Sequence, residues 1–191
     1  MPHLQRGRER ILQSGLSLRP PEERTPPSPA RTVADPSLFD NIAPRYELLN
    51  LLLSGGLVIY WDYKFRKKLL EVFSPGRRGV ALEIGCGAMP LRRALARVAP
   101  NLRVLGVDLS WGMLQKGRAT LAPSAARRTL LAIASGLELP LASNSVDLVI
   151  CQFVLRNIPQ RREALKEALR VLKPGGTLFV LEFGSGRRRI W

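Results

Sequence analysis

Glu83, Gly85, Gly87 and Asp108 are the residues whose types and spacing could hold a small charged ligand. An apolar run, Val80 to Ile84, carries Glu83 near its end and breaks into Gly85-Cys86-Gly87-Ala88 before a helical pattern resumes at Pro90. Strand, glycine turn and helix in that order open a pocket at the carboxyl end of a first strand. Glycine lets the backbone turn tightly and lets a ligand approach it closely. The helix that follows presents unpaired N–H groups to the same crevice. Asp108 follows Gly87 by 21 residues, at the end of a second apolar run, where an acid can accept hydrogen bonds from a ribose diol. The competing use is as a helix cap, but Ser110 fits that role better and leaves Asp108 free for a ligand. For Glu83 two partners stand open: a ligand ammonium, or a backbone N–H of the glycine turn. A dinucleotide is disfavoured, because its third glycine would fall on Pro90.

The elements that must position these residues alternate. Strands are expected at Val80–Ile84, Leu102–Val107, Leu130–Ile133, Val146–Ile150 and Thr177–Leu181. Helices are expected at Leu91–Val98, Met113–Leu121 and around Ala164–Leu172, with a turn at Lys173-Pro174-Gly175-Gly176. Such alternation implies βαβ crossovers: an α/β, Rossmann-like, doubly wound and mostly parallel sheet of five strands. A helical preamble precedes it, from Leu38 to Leu53 and again from Trp61 to Val72, separated by Ser54-Gly55-Gly56. Residues 1–37 hold seven prolines and are read as a disordered, proline- and arginine-rich extension; residues 38–191 form the domain. A targeting peptide is the alternative for that extension, and Glu9, Glu22, Glu23 and Asp35 count against it.

The chain has 191 residues and a net charge of +15, with 24 Arg against 6 Lys. Such an excess favours phosphate-rich partners, either an anionic membrane face or nucleic acid, or else reflects base composition. Aromatics are only 6% of the chain, with no stacking platform of the kind RNA modules use, so no specific nucleic acid is expected. Cys86 and Cys151 read as buried structural residues in a reducing compartment. No metal-ligand cluster appears, and the single histidine, His3, lies in the extension.

Several longer strings make a resemblance. FDNIAPRYELLN at 39 to 50, LSGG at 53 to 56 with Trp61, FVLRNIP at 153 to 159 and RVLKPGGTLFVLEF at 170 to 183 resemble the ubiquinone/menaquinone biosynthesis C-methyltransferases. The glycine turn and KPGG are shared by many S-adenosylmethionine-dependent methyltransferases; the FDNIAPRY and LRN strings are far more specific. The resemblance implies S-adenosyl-L-methionine as cofactor and a prenylated quinol as substrate. It places Gly85 and Gly87 along the methionine part, Asp108 at the ribose, and Ser135 and Gly136 at the adenine. Arg156 and Asn157 would face the quinol, with Tyr46 and Asn50 closing over them. Arg156 cannot serve as a base, because guanidinium stays protonated, so its implied role is to stabilise a developing phenolate.

Departures from the family follow, among them Ser135 where an Asp or Asn is usual and Val58 and Ile59 where polar or basic residues are usual. The family's glycine-rich turn has Met89 and Pro90 where a glycine and an acid are usual, which sets a long side chain where backbone meets cofactor. The family also continues past the LEF string, so the domain is expected to be incomplete at its C-terminus. A methyltransferase for another small molecule, or a non-catalytic fragment with a basic RNA- or membrane-binding surface, are the other functions considered. A cytoplasmic protein with peripheral contact at the inner membrane face fits the charge and a membrane-borne quinol.

Overall fold

The computed structural model describes residues 52, 54–72 and 78–182. The expected extension, the helix before Leu52, Tyr46 and Asn50 lie outside the described residues. The order of elements is helix α1 (Leu57–Val72), strand β1 (Gly79–Ile84), α2 (Pro90–Val98), β2 (Leu102–Asp108), α3 (Trp111–Ala119), a short α4 (Pro123–Ala126) and β3 (Thr129–Ile133). Then come β4 (Val146–Gln152), a 3-10 turn (Leu155–Asn157), α5 (Arg161–Val171) and β5 (Leu172–Leu181).

The five strands form one sheet in the order β3-β2-β1-β4-β5, every neighbouring pair parallel. The strand order reverses beside β1, between β2 and β4, which is where such sheets open a crevice at their carboxyl ends. Central strands covered on both faces should read as unbroken apolar runs. β1 is covered in this way, Val80 to Ile84 being all buried, and Glu83 is the one break in its apolar run. On one face, Leu82, Ile84, Val107 and Val149 pack with Ala164, Ala168 and Val171 of α5. On the other, Ala81, Val104 and Ile150 meet Leu91 and Leu95 of α2 and Phe65 and Leu69 of α1.

Helix ends follow local chemistry. Ser110 caps α3, accepting from Met113 N at 3.0 Å, as read from the sequence. Pro90 occupies the first turn of α2, where its missing N–H costs nothing. Helix α4 and the 3-10 turn were not expected; each is too short for a periodic signal. The KPGG segment also differs from a simple turn. It lies within the span of β5, whose pairing with β4 shifts from Val146–Leu172 to Leu148–Thr177, with Gly175 at φ +75°. The segment is therefore an enlarged bulge, four residues of β5 standing opposite one of β4.

α1 is attached by little. Only Phe65 and Leu69 are buried; the Phe65 ring meets Phe179 of β5 edge-on at 5.7 Å. Asp62 Oδ1 accepts from Gln152 Nε2 at 3.0 Å, which ties the helix to the carboxyl end of β4.

Arg170 locks the loop beneath β4. It donates to both carboxylate oxygens of Glu167, at 2.7 and 2.8 Å, and to the Leu141 carbonyl at 2.8 Å, while Glu167 accepts from Leu139 N at 2.9 Å. Replacing Arg170 by Ala is expected to lower unfolding stability by about 2 kcal/mol, since it strands partly buried acceptors. Lys at this site should recover less than half, because one ammonium cannot span the fork; denaturant titration reads both.

Candidate functional site

The glycine turn is held by the end of β2. Gly85 N and Cys86 N both donate to the Val107 carbonyl, at 2.8 and 3.1 Å. Gly87 N donates to Asp108 Oδ2 at 2.8 Å, and Ser110 N to Asp108 Oδ1 at 3.0 Å. Asp108 is thus not free, as the sequence suggested; it clasps the turn to the α3 cap, and a ribose diol would have to share that carboxylate. Gly85 and Gly87 both have positive φ, +65° and +50°. A Cβ at Gly85 would also come within 2.3 Å of Val154, so this glycine is required twice over.

Met89 corrects the other expectation. Its side chain does not enter the crevice: it is fully buried, despite a left-handed backbone at φ 60°. It fills a notch made by two further glycines. A Cβ at Gly106 would stand 3.0 Å from the Met89 methyl, and one at Gly117 would stand 2.8 Å from Met89 Cγ. Burial of the side chain offsets the left-handed conformation, which costs an L-residue about 1–2 kcal/mol.

Glu83 is buried under α1 and α2 at the carboxyl end of β1. The N–H groups of Gly85, Cys86 and Gly87 all go elsewhere, so of the two partners left open by the sequence these backbone donors are not the one used. Burial pushes its carboxyl up to about 8; the buried Arg92 guanidinium pulls against this, and the carboxylates of Asp108 and Asp62 add to it. Arg92 is itself fixed by Thr129 Oγ1 at 2.8 Å, with its Nη1 lacking a partner. Sequence reading missed it, since nothing in a helical arginine signals burial. Cys86 and Cys151 are buried as expected, and burial raises both thiols, Cys151 to about 12.

Arg156 and Asn157 lie in the 3-10 turn after β4, beside the same crevice. Two residues that the sequence did not single out hold this turn. Phe153 adopts φ +55°, a strained conformation for an aromatic residue. Its ring lies 5.7 Å from the Arg156 guanidinium, and its N–H donates to the Leu181 carbonyl. Glu182, just past β5, accepts from Arg156 N at 3.1 Å and lies 3.9 Å from Arg156 Nη1. An acid at a strand's carboxyl end, the pattern that singled out Glu83, would have found it.

Ser135 and Gly136 each have a structural use in the loop after β3. The Ser135 hydroxyl accepts from Leu137 N at 3.1 Å. Gly136 is buried where a Cβ would meet Ile84 and Ile158 at 3.0 and 3.2 Å, so its smallness serves packing. Among the described residues no group of His, Cys, Asp or Glu could hold a metal.

Residues 30–190 match the model of the ubiE/COQ5 methyltransferase family. The chain belongs to this family. A ubiquinone/menaquinone biosynthesis C-methyltransferase of Syntrophotalea carbinolica is 44% identical over 148 residues, covering 78% of this chain and 60% of the relative. The demethylmenaquinone methyltransferase of Symbiobacterium thermophilum is 36% identical over 147 residues, covering 76% and 57%. The chain spans about three-fifths of the length of these ubiE/COQ5 relatives. The fold also matches solved structures. A putative S-adenosyl-L-methionine-dependent methyltransferase from Methanococcus maripaludis has a TM-score of 0.61 at 20% identity, over 80% of this chain and 66% of that one. A SAM-dependent methyltransferase from Aquifex aeolicus has a TM-score of 0.56 at 20% identity, over 65% and 66%.

Two measurements test this geometry. Gly117→Ala should destabilise by about 1–3 kcal/mol, as overpacking does. Met89→Ala in the same chain should cost less than it does alone, giving a coupling visible in a double-mutant cycle. Glu83 binds a proton when folded that it lacks when unfolded, between its ordinary value of 4.5 and about 8. Its contribution to stability is therefore greatest below that window and falls as pH rises through it. Glu83→Gln should melt above the parent at pH 9, and the difference should fade toward pH 5. An equal difference at both would refute the buried, protonated acid.

Proposed function

We propose that this chain carries the cofactor-binding part of a methyltransferase that moves a methyl group from S-adenosyl-L-methionine to a ring carbon of a prenylated quinol. The family match over residues 30–190 is the observation that carries this reading, and the activities for which the relatives are named suggest the quinol. The residues suit such a cofactor. Glu83 offers a buried carboxyl that receives no turn N–H and would hold an ammonium. Asp108 would accept from the ribose, and Gly85 and Gly87 would let the ligand lie against backbone. The cofactor supplies an electrophilic methyl on a sulfonium. The chain's own task is to position and desolvate, because attack by a ring carbon on that methyl neutralises charge. Arg156, permanently cationic and steadied by Phe153 and Glu182, would stabilise the quinol oxygen as it becomes phenolate. Asn157 and Tyr46 would complete the quinol side. The same reading places the protein in the cytoplasm, in peripheral contact with the inner membrane face.

Glu83 is largely protonated at pH 7, so pairing with an ammonium must expel a proton. Calorimetry of S-adenosyl-L-methionine binding in two buffers of different ionisation enthalpy should show that release in the parent and none in Glu83→Gln. With labelled cofactor and a demethylated quinol extract, Arg156→Ala should lower turnover on the order of 100-fold while binding of the cofactor is kept. Binding without transfer to any quinol would move the reading to another small-molecule acceptor.

A further inference from the structure

Exposed apolar side chains are not spread evenly over this molecule. Of the eleven large ones exposed among the described residues, six lie on α1: Leu57, Ile59, Tyr60, Trp61, Tyr63 and Val72. Five of these fall within its first two turns, where Ile59 is 60% and Tyr63 59% exposed. A helix that served only the core would turn such residues inward. Here the core takes only Phe65 and Leu69.

The polar complement of α1 is basic. Arg66 is paired with Asp62 at 2.6 Å and Lys68 with Glu71 at 2.8 Å. Lys64 and Lys67 are exposed and in no salt bridge among the described residues. Spacing puts Tyr60, Lys64 and Lys67 along one outward line, with Ile59 and Tyr63 along the next. A groove of about 350 Å³ between α1 and the end of β5 is lined by Trp61, Phe65 and Leu181 together with Lys64, Lys67 and Lys68.

We propose that the outward face of α1 docks on an anionic bilayer. The basic complement of the helix chooses this occupant over a protein, and its aromatic end is compatible with it. Tyr and Trp concentrated at one end of a helix match the boundary between headgroup and acyl chain. Lysine, which protein interfaces deplete, is what anionic lipid attracts. Its long stem also lets the ammonium stay among headgroups while the chain beneath is buried. The helix lies on the surface and does not span it, since no described helix is long and apolar enough to cross a membrane. The tie between Asp62 and Gln152 holds the inner side of α1 at the carboxyl end of β4, which leaves the opposite face outward. The proposal rests on the peripheral membrane contact proposed above and names the surface that makes it, but its test needs neither cofactor nor acceptor, so it can fail while methyl transfer stands.

The test is sedimentation of the full chain with phosphatidylcholine vesicles, with and without phosphatidylglycerol. Binding is expected only with the anionic lipid and should weaken as salt rises. A chain of net charge +15 could adhere to such vesicles anywhere, so the deciding variant leaves charge untouched. Ile59→Ser with Tyr63→Ser should weaken partition about tenfold with no change in melting temperature. Lys64→Gln with Lys67→Gln should weaken it by a similar or larger factor. With Trp111 and Trp191 replaced by Phe, the Trp61 emission should shift to the blue on binding. Undiminished binding by the Ser pair would overturn the proposal and assign adhesion to bulk charge. So would no vesicle binding together with a Ser pair that dissociates an oligomer, which would make a second copy the occupant.

Discussion

The crevice depends on how the end of β2 consumes the donors of the glycine turn. Val107 takes two N–H groups through one carbonyl, and Asp108 takes a third through its carboxylate. These bonds join β1 and β2 beyond the last ladder pair, Ile84–Val107, and fix the left-handed shape of Gly85 and Gly87. They also determine the electrostatics of the neighbour they bypass. Glu83 lies two residues before the first donor, yet no turn N–H reaches it. Burial then dominates, and the group keeps its proton far above the usual carboxylate range. One arrangement of hydrogen bonds thus produces both a rigid turn and a proton-holding acid beside it.

The same turn shows how a departure from pattern is absorbed. A glycine is ordinarily chosen for a left-handed position because any Cβ is strained there. Met89 accepts that strain and sends its side chain away from the crevice, into space kept clear by Gly106 and Gly117. Glycine has in effect moved from the turn to the two elements that face it. Contacts from three segments now rest on one flexible thioether, a side chain well suited to irregular gaps.

Most of the sheet was legible in the sequence, because five apolar runs alternate with helical stripes and parallel strands need crossovers. The Ser110 cap followed from its own chemistry, whereas the strand order was read only from the structure. What was not legible depends on distant partners. Asp108 was read as free because a sequence cannot show that Gly87 N lies opposite it. Met89 was read as an obstruction because its outlet is formed by residues 17 and 28 positions away. Phe153 carries no periodic mark, and although Glu182 has the same strand-end position as Glu83, its pairing with Arg156 appears only when β4 and β5 lie side by side. Arg92 looked like any surface arginine on an amphipathic helix until Thr129 and Ala125 closed over it.

The bulge at the start of β5 has a consequence of parity. Between its first two pairings the partner strand advances two residues while β5 advances five, and the surplus is odd. Side chains alternate between sheet faces, so an odd surplus decides which face every later residue of the strand will reach. Phe179 meets Phe65 of α1 because the surplus is three. Loss of a single residue from the KPGG segment would deliver Val180 to that position and turn the ring toward α5. The attachment of a helix more than a hundred residues earlier in the chain is thus encoded in the length of a four-residue string, whose composition matters less than its count.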